Sequence, residues 1–496
     1  MATIIPENQA RFDLPTLLSC TGGVLVSGGC AAVQGVSTDT RRIKPGNLFV
    51  ALVGEVHDAH QYVARAASCG AAALLVQRDV ALPEELSHVA VIRVADTLRA
   101  LGALAKAHRI AWAKGTRNSL SQPRKLVAVT GSAGKTTTCR AIAAVLNKLC
   151  NGRVHAPAGN LNNAVGVPMV LFGLTDEHDM AIVEVGTNAP GEVAYAASIA
   201  QPDVGVVTLI GCAHTEGLGS VEAVAREKGA LFSSVSQHGV CVANYDDTRV
   251  MQQVRDAGRG SIITFGKHER AQVRVAQVSQ SDWNGQTLRV RVGASRELDL
   301  AVPLLGQAGV YASAAAVAVA WALFGDELDL RAIADGLREM KAEQGRLQPR
   351  QLACGAVVID DAYNANPVSM TDSIQVVAAM AKASGRKLTL VLGEMCELGT
   401  LSEDQHKRVG DVARSAHPSR VIGVKGDARY IVERIAGAPS DDTSVVFVDS
   451  AEQALDRLVM CVRDRDLVLV KGSRAVQLEI VVRGLEELPS IGGPRG

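Results

Sequence analysis

Short runs that are apolar at every position alternate along this chain with longer stretches whose apolar residues recur at helical spacing. Between residues 125 and 244 the runs are KLVAVT (125–130), MAIVEV (180–185), VGVVTLI (204–210) and GVCVAN (239–244). Continuous apolar strands separated by helices predict a parallel sheet covered on both faces. The same alternation resumes after Gly345 with AVVIDDA, KLTLVLGE, RVIGVKG, SVVFVD and DLVLVKGSR, which predicts a second doubly wound unit. Near the N-terminus LFVAL (48–52), AALLV (72–76) and the helical TLRALGALAKAHRIAW predict a smaller α/β unit. Residues 272–302 differ. Their RVRVGASRELDLAV alternates polar and apolar positions and predicts an antiparallel appendage.

The expected fold class is therefore α/β with three domains, at 1–115, 125–344 and 345–496. A polar linker, KGTRNSLSQPRK (114–125), separates the first two. The chain's 496 residues fit that count. One run, Ala308 to Phe324, is apolar or small throughout except for Ser313 and approaches the length of a membrane span. It is dominated by alanine and bracketed by Gln307 and Asp326, so a buried helix is expected and no integral membrane segment.

Lys+Arg and Asp+Glu both number 51, with no basic block, which argues against a nucleic-acid partner and against a polybasic membrane anchor. MATIIPENQARF lacks the basic-then-apolar pattern of an export signal. The 10 cysteines are scattered without a C-x-x-C pair and read as reduced, mostly buried thiols. A cytoplasmic monomer is expected.

Ligands of an open parallel sheet sit at the carboxyl ends of its strands. The first central strand delivers Gly131, Ser132, Ala133, Gly134, Lys135, Thr136 and Thr137. This Gly-x-x-Gly-Lys-Thr-Thr turn lacks the outer glycine of the usual P-loop, whose place is taken by Val129. Its amides and the following helix N-terminus still suit phosphate, Lys135 can neutralise it, and Thr136 can offer a hydroxyl to Mg²⁺. The next strands deliver Glu184 and His214. Carboxylate, hydroxyl and imidazole from adjacent strand ends form a candidate divalent-metal site. Taken singly, Glu184 also fits a buried ion pair, and His214 a satisfied loop histidine. Asn160, Asn162, Asn163, Thr187 and Asn188 cluster in turns, where asparagine is common for backbone reasons as well as for binding. The third region delivers Asp360, Asp361, Glu394 and Lys471 to Arg474. Arg346 stands at the boundary and suits either a phosphate contact or a solvated linker.

TGSAGKTTT resembles the short P-loop of the Mur ligases and their folylpolyglutamate synthetase relatives. The likeness extends along nearly the whole chain: STDTRRIKPGNLFVALVGEVHDAH, GNLNNAVGVP, VEVGTNAPGE, AHTEGLGS, REKGALF, EQGRLQP, IDDAYNANPVSM, LGEMCELG and VKGSR all fit. The resemblance implies an N-terminal uridine-binding domain, where Asp39, Thr40, Arg41, Asp58 and His60 match while Ala59 replaces a glycine. It further implies a central P-loop domain and a C-terminal Rossmann-like domain. DDAYNANP and GEMCELG, with no D-N-P-R block, favour the branch that joins D-alanyl-D-alanine to UDP-N-acetylmuramoyl-tripeptide.

Carried over by resemblance, Lys135 and its loop hold ATP phosphates. Thr136 and Glu184 ligate one Mg²⁺, and His214 a second. Lys228 matches a lysine carbamylated into a metal ligand in several of these enzymes. Arg346 and Asp361 touch the nucleotide. Asn160, Asn162, Thr187 and Asn188 face the UDP-muramyl peptide. One departure stands out. The family's G-x-H-N-x-x-N-A-x-A-A reads GQAGVYASAAA here, with Ala308, Gly309 and Ala312 in place of His, Asn and Asn. The expected chemistry is amide formation through an acyl phosphate. The alternatives are a diamino-acid-adding ligase, a P-loop kinase or transport ATPase, and a degenerate binding protein without turnover.

Overall fold

A computed structural model describes residues 6–54, 56–115, 123–157, 159–437 and 443–488. Most of the linker expected at 114–125 lies outside them. The fold is three-part α/β, each part built on its own sheet. The N-terminal sheet has five strands in the order Val24–Ser27, Ala90–Arg93, Ala73–Val76, Leu48–Val50, Val36–Ser37, parallel except for the first pair. A small antiparallel pair, Arg11–Asp13 with Ala32–Gln34, packs beside it.

The central sheet has nine strands, running from Arg296–Val302 at one edge to Val154–His155 at the other. Lys125–Thr130 lies between Val204–Val207 and Met180–Glu184, parallel to both. Its alternate residues serve two cores. Leu126 and Ala128 face the core shared with the N-terminal part, and Val127 and Val129 face the core on the opposite side. That division is the physical meaning of a run apolar at every position. Residues 273–302 form the antiparallel ladder expected, but they extend the central sheet through a parallel pairing of Val273–Asp282 with Ser261–Gly266. The C-terminal sheet has six strands in the order Gln348–Gln351, Val357–Asp361, Asp466–Lys471, Lys387–Gly393, Arg420–Val424, Ser444–Val448, with only the first pair antiparallel.

The alanine-rich segment is a helix, Gly306–Phe324, packed in the core against the P-loop helix Lys135–Leu149. It is long and apolar enough to cross a membrane, yet from Val310 onward it is buried protein interior through most of its length. Small side chains let the two helices approach closely. The cysteines are all free thiols, but the expectation that most are buried is corrected: only Cys139, Cys150 and Cys241 are, and Cys69 is exposed. Cysteine type alone does not fix which side of a helix or strand meets the core.

Candidate active site

A cleft of about 730 Å³ opens between the central and C-terminal sheets. The turn from Gly131 to Gly134 forms its floor. Gly131 has φ +152°, and a Cβ there would fall 1.9 Å from the Thr208 hydroxyl. That hydroxyl donates to the Ala133 carbonyl at 2.6 Å, so the neighbouring strand end pins the turn. Gly134, left-handed at φ +79°, precedes a helix with no side-chain cap, whose first-turn amides are therefore available to an anion. The Lys135 amine donates to the Gly131 carbonyl at 2.9 Å. Burial pulls its pKa down, and the charge of Glu184 opposes that.

Glu184, 3% exposed, ends its strand opposite Val129. It is held by neutral donors rather than by an ion pair: Thr136 Oγ1 donates to Oε2 at 2.8 Å and Asn162 Nδ2 to Oε1 at 2.8 Å. Arg346 Nη2 reaches across from the linker side to Thr136 Oγ1 at 2.9 Å. The Arg346 guanidinium also lies 4.4 Å from the Tyr363 ring centroid. Lys228 is wholly buried, and its Nζ has no hydrogen-bond partner among the described residues. Burial drives its pKa well below the usual range, helped by the charge of Lys135 and opposed by Glu227 and Glu184. A buried ammonium without an acceptor is costly. Loss of the proton, or conversion to an anionic carbamate beside a cation, relieves it.

His214 is left-handed at φ +57° and begins the short helix Thr215–Leu218. Its Nδ1 meets the Glu397 carboxylate of the C-terminal part. That hydrogen bond holds Glu397 below the usual carboxylate range. Nε2 is left for another partner, the arrangement common in metal-bound histidine. Among the described residues no three His, Cys, Asp or Glu side chains converge as a ready metal centre. Thr136, Glu184 and His214 nonetheless line one cleft, and their oxygen-rich donors suit Mg²⁺.

Asn160, Asn162, Thr187 and Asn188 line the same cleft, so the turns rich in asparagine do meet the phosphate loop. Asp361 lines it too but is engaged on its own side, accepting from Lys471 Nζ at 2.6 Å, Ser373 Oγ at 2.6 Å and the Leu347 amide at 3.2 Å. Asp39, Thr40 and Arg41 do not reach the cleft. Asp39 caps the turn Thr40–Arg42 and pairs with Arg41 at 2.6 Å, in the N-terminal part.

Family models match three segments: "Mur ligase family, catalytic domain" over residues 32–109, "Mur ligase middle domain" over 129–320 and "Mur ligase, glutamate ligase domain" over 345–474. The chain is 36% identical to UDP-N-acetylmuramoyl-tripeptide--D-alanyl-D-alanine ligase of Escherichia coli (strain K12), over 93% of this chain and 96% of that one. The chain belongs to the Mur ligase family. The corresponding ligase of Bacillus subtilis (strain 168) is 34% identical over 92% and 94% of the two chains. A crystal structure of MurF from Acinetobacter baumannii superposes with a TM-score of 0.85 at 28% identity, covering 97% of this chain and all of that one.

In this Mur ligase Ala308, Gly309 and Ala312, which stand in place of the family's His, Asn and Asn, line the cleft. A Cβ on Gly309 would come within 2.8 Å of Leu304 Cβ and 2.9 Å of Gln286 Nε2, which itself donates to the Gly306 carbonyl at 2.9 Å. The helix Gly306–Phe324 has no cap of its own. Asp372, from the C-terminal helix Pro367–Ser384, accepts from the Gln307 amide at 3.1 Å and the Ala308 amide at 3.4 Å. Sequence reading did not single out Asp372, Glu397 or Tyr363. Asp372 and Glu397 act across the domain boundary, and no local spacing signals that. Asn366, within the DDAYNANP block, caps its own helix and also donates to the Ser132 carbonyl at 3.1 Å.

Proposed function

We propose that this Mur ligase is an ATP-dependent amide ligase of the cytoplasm, joining D-alanyl-D-alanine to UDP-N-acetylmuramoyl-tripeptide, the final soluble step of peptidoglycan precursor synthesis. The observation that carries the reading is the grouping of Lys135, Thr136 and Glu184 in one cleft, in a chain aligned over 92–93% of its length with ligases of that name.

A carboxylate at neutral pH is a poor electrophile, so amide formation needs activation. The terminal carboxylate of the tripeptide attacks the γ-phosphorus of ATP, ADP leaves, and an acyl phosphate forms. The neutral D-alanyl-D-alanine amine then adds to the acyl carbon, the C–O bond to phosphate breaks, and the proton shed by nitrogen passes to water or the departing phosphate as the amide forms. The protein positions two anions and offsets their repulsion. Lys135 and the loop amides hold the β- and γ-phosphates. Arg346 approaches from the third part. Asn160, Asn162, Thr187 and Asn188 orient the peptide. Thr136, Glu184 and His214, with Lys228 if carbamylated, would hold Mg²⁺, which supplies charge neutralisation on the phosphates. Closure of the C-terminal part over the cleft excludes water and limits idle ATP hydrolysis.

The test is phosphate release from ATP with UDP-muramyl tripeptide, with and without D-alanyl-D-alanine, and chromatography of the product. Release that needs both substrates and yields the pentapeptide supports the reading. Phosphorylated product or bare hydrolysis would place the chain with the kinases or ATPases, and preference for a free diamino acid would place it in another branch of the family.

A further inference from the structure

The helix Val221–Ser233 carries Lys228 toward Lys135 and Glu184. The residue before it, Glu227, points elsewhere, because neighbours on a helix diverge by about 100°. Glu227 is 8% exposed, and its carboxylate takes two backbone donors from a single segment. Oε2 accepts from the Gly191 amide at 2.7 Å and Oε1 from the Val193 amide at 2.8 Å, while the Thr187 hydroxyl, 3.4 Å from Oε1, donates to the Ala189 carbonyl at 2.8 Å. The helix Glu192–Ala200 has left-handed Gly191 at its start and no side-chain cap of its own. Glu227 thus caps it from another helix, where a negative charge also suits the helix dipole.

The segment capped in this way is the loop that follows Glu184. Thr187 and Asn188 line the cleft, and Glu192 Oε2 fixes the Asn188 and Ala189 amides at 2.6 and 3.1 Å. On the far side Gly217 lies so close that a Cβ there would meet the Asn188 carbonyl at 2.1 Å. The loop is thus held from its own helix by Glu192, from the far side by Gly217, and at the helix start by Glu227. Only three residues separate Glu184 from Asn188, so the loop faces whatever is brought to the phosphate loop for reaction. We propose that Glu227 is a positioning residue that sets this loop to receive the carboxylate-bearing peptide end of the acyl substrate. One helical turn thereby serves both halves of the site, Lys228 the phosphate side and Glu227 the peptide side. This rests on the ligase reading above.

The test uses the full-length enzyme and two variants, Glu227→Gln and Glu227→Ala. The near-isosteric amide keeps one acceptor but sets an NH₂ group against one of the loop's backbone donors. KM for UDP-muramyl tripeptide is expected to rise about tenfold or more in both, while KM for ATP changes by less than about twofold. A fall in kcat with both KM values unchanged would overturn the proposal, since it would mean that Glu227 acts only through Lys228. Unchanged kinetics with a lowered melting temperature would also overturn it, leaving a structural cap. If the alanine variant fails to fold, the glutamine variant decides. Failure of the ligase reading itself would show separately, as wild-type enzyme that forms no pentapeptide.

Discussion

Lys135, half-buried, and Lys228, fully buried, both have lowered pKa values, but their surroundings ask for different things. Lys135 has the Gly131 carbonyl as a partner and sits where a phosphate would lie. Lys135→Ala should leave the fold intact and abolish ligation, measured as loss of pentapeptide formation by a factor of roughly 10³ or more. Retained ATP-dependent product would remove the phosphate-cradle assignment. Lys228 Nζ has no hydrogen-bond partner among the described residues, which suits a group waiting to become an anion. Lys228→Ala should lose activity that added short carboxylic acids partly restore. Wild-type rates in that variant would end its role as a metal ligand. The P-loop residues were legible from sequence because a glycine turn between strand and helix constrains its own chemistry locally. Glu227 was not, since its role depends on which loop its helix packs against.

At the scale of elements, the edge strand Val154–His155 carries a pH-dependent term. Burial lowers the His155 pKa from 6.5 to about 4, with the ring nitrogen Nε2 bonded to the Val170 carbonyl at 2.8 Å. The folded form binds the proton less well than the unfolded chain. His155 therefore costs nothing above about pH 6.5, and stability is lost as pH falls from there toward 4, by on the order of 3 kcal/mol. Melting temperature measured across that range should fall less in His155→Gln than in wild type; equal slopes would remove His155 as the cause. The helix Gly306–Phe324 offers a second prediction. Gly309→Asn would restore the family residue, yet it must displace Leu304 and Gln286. It should destabilise the protein by about 1–3 kcal/mol, read by denaturation, without lowering KM for ATP. A stable variant with tighter ATP use would show that the site has kept room for the lost asparagine. Helices and buried strands were legible because their apolar periodicity is local. The short strands Val24–Ser27 and Val36–Ser37 were not, since each is too brief to show a period and exists by pairing.

For the whole molecule, the central and C-terminal parts share an apolar contact around Leu305 and Leu347 and a set of polar contacts beside the cleft. Asp372 caps the helix Gly306–Phe324, Asn366 reaches Ser132, Arg346 reaches Thr136, and Glu397 meets His214. Each ties a C-terminal or linker residue to a group beside the nucleotide loop, so binding and domain closure should be coupled. Asp372→Ala should leave two helix amides unsatisfied, raise KM for ATP several-fold and enlarge the average radius of gyration in solution scattering. Unchanged scattering and KM would mean that the closed arrangement does not depend on this cap.

The sequence by itself determined the three sheets, the phosphate turn, the buried nature of the alanine-rich helix and the family, because each is written in local periodicity or in contiguous motifs. Only the tertiary structure decided that Asp361 is engaged by its own domain, that Asp39, Thr40 and Arg41 stand apart from the cleft, that His214 faces Glu397, and that Glu227 holds the loop after Glu184. The pairings of Asp361 with Lys471, His214 with Glu397 and Glu227 with Gly191 join residues tens to hundreds of positions apart. Side-chain type limits what such a residue can bond, but only the packing of helices and sheets selects the partner.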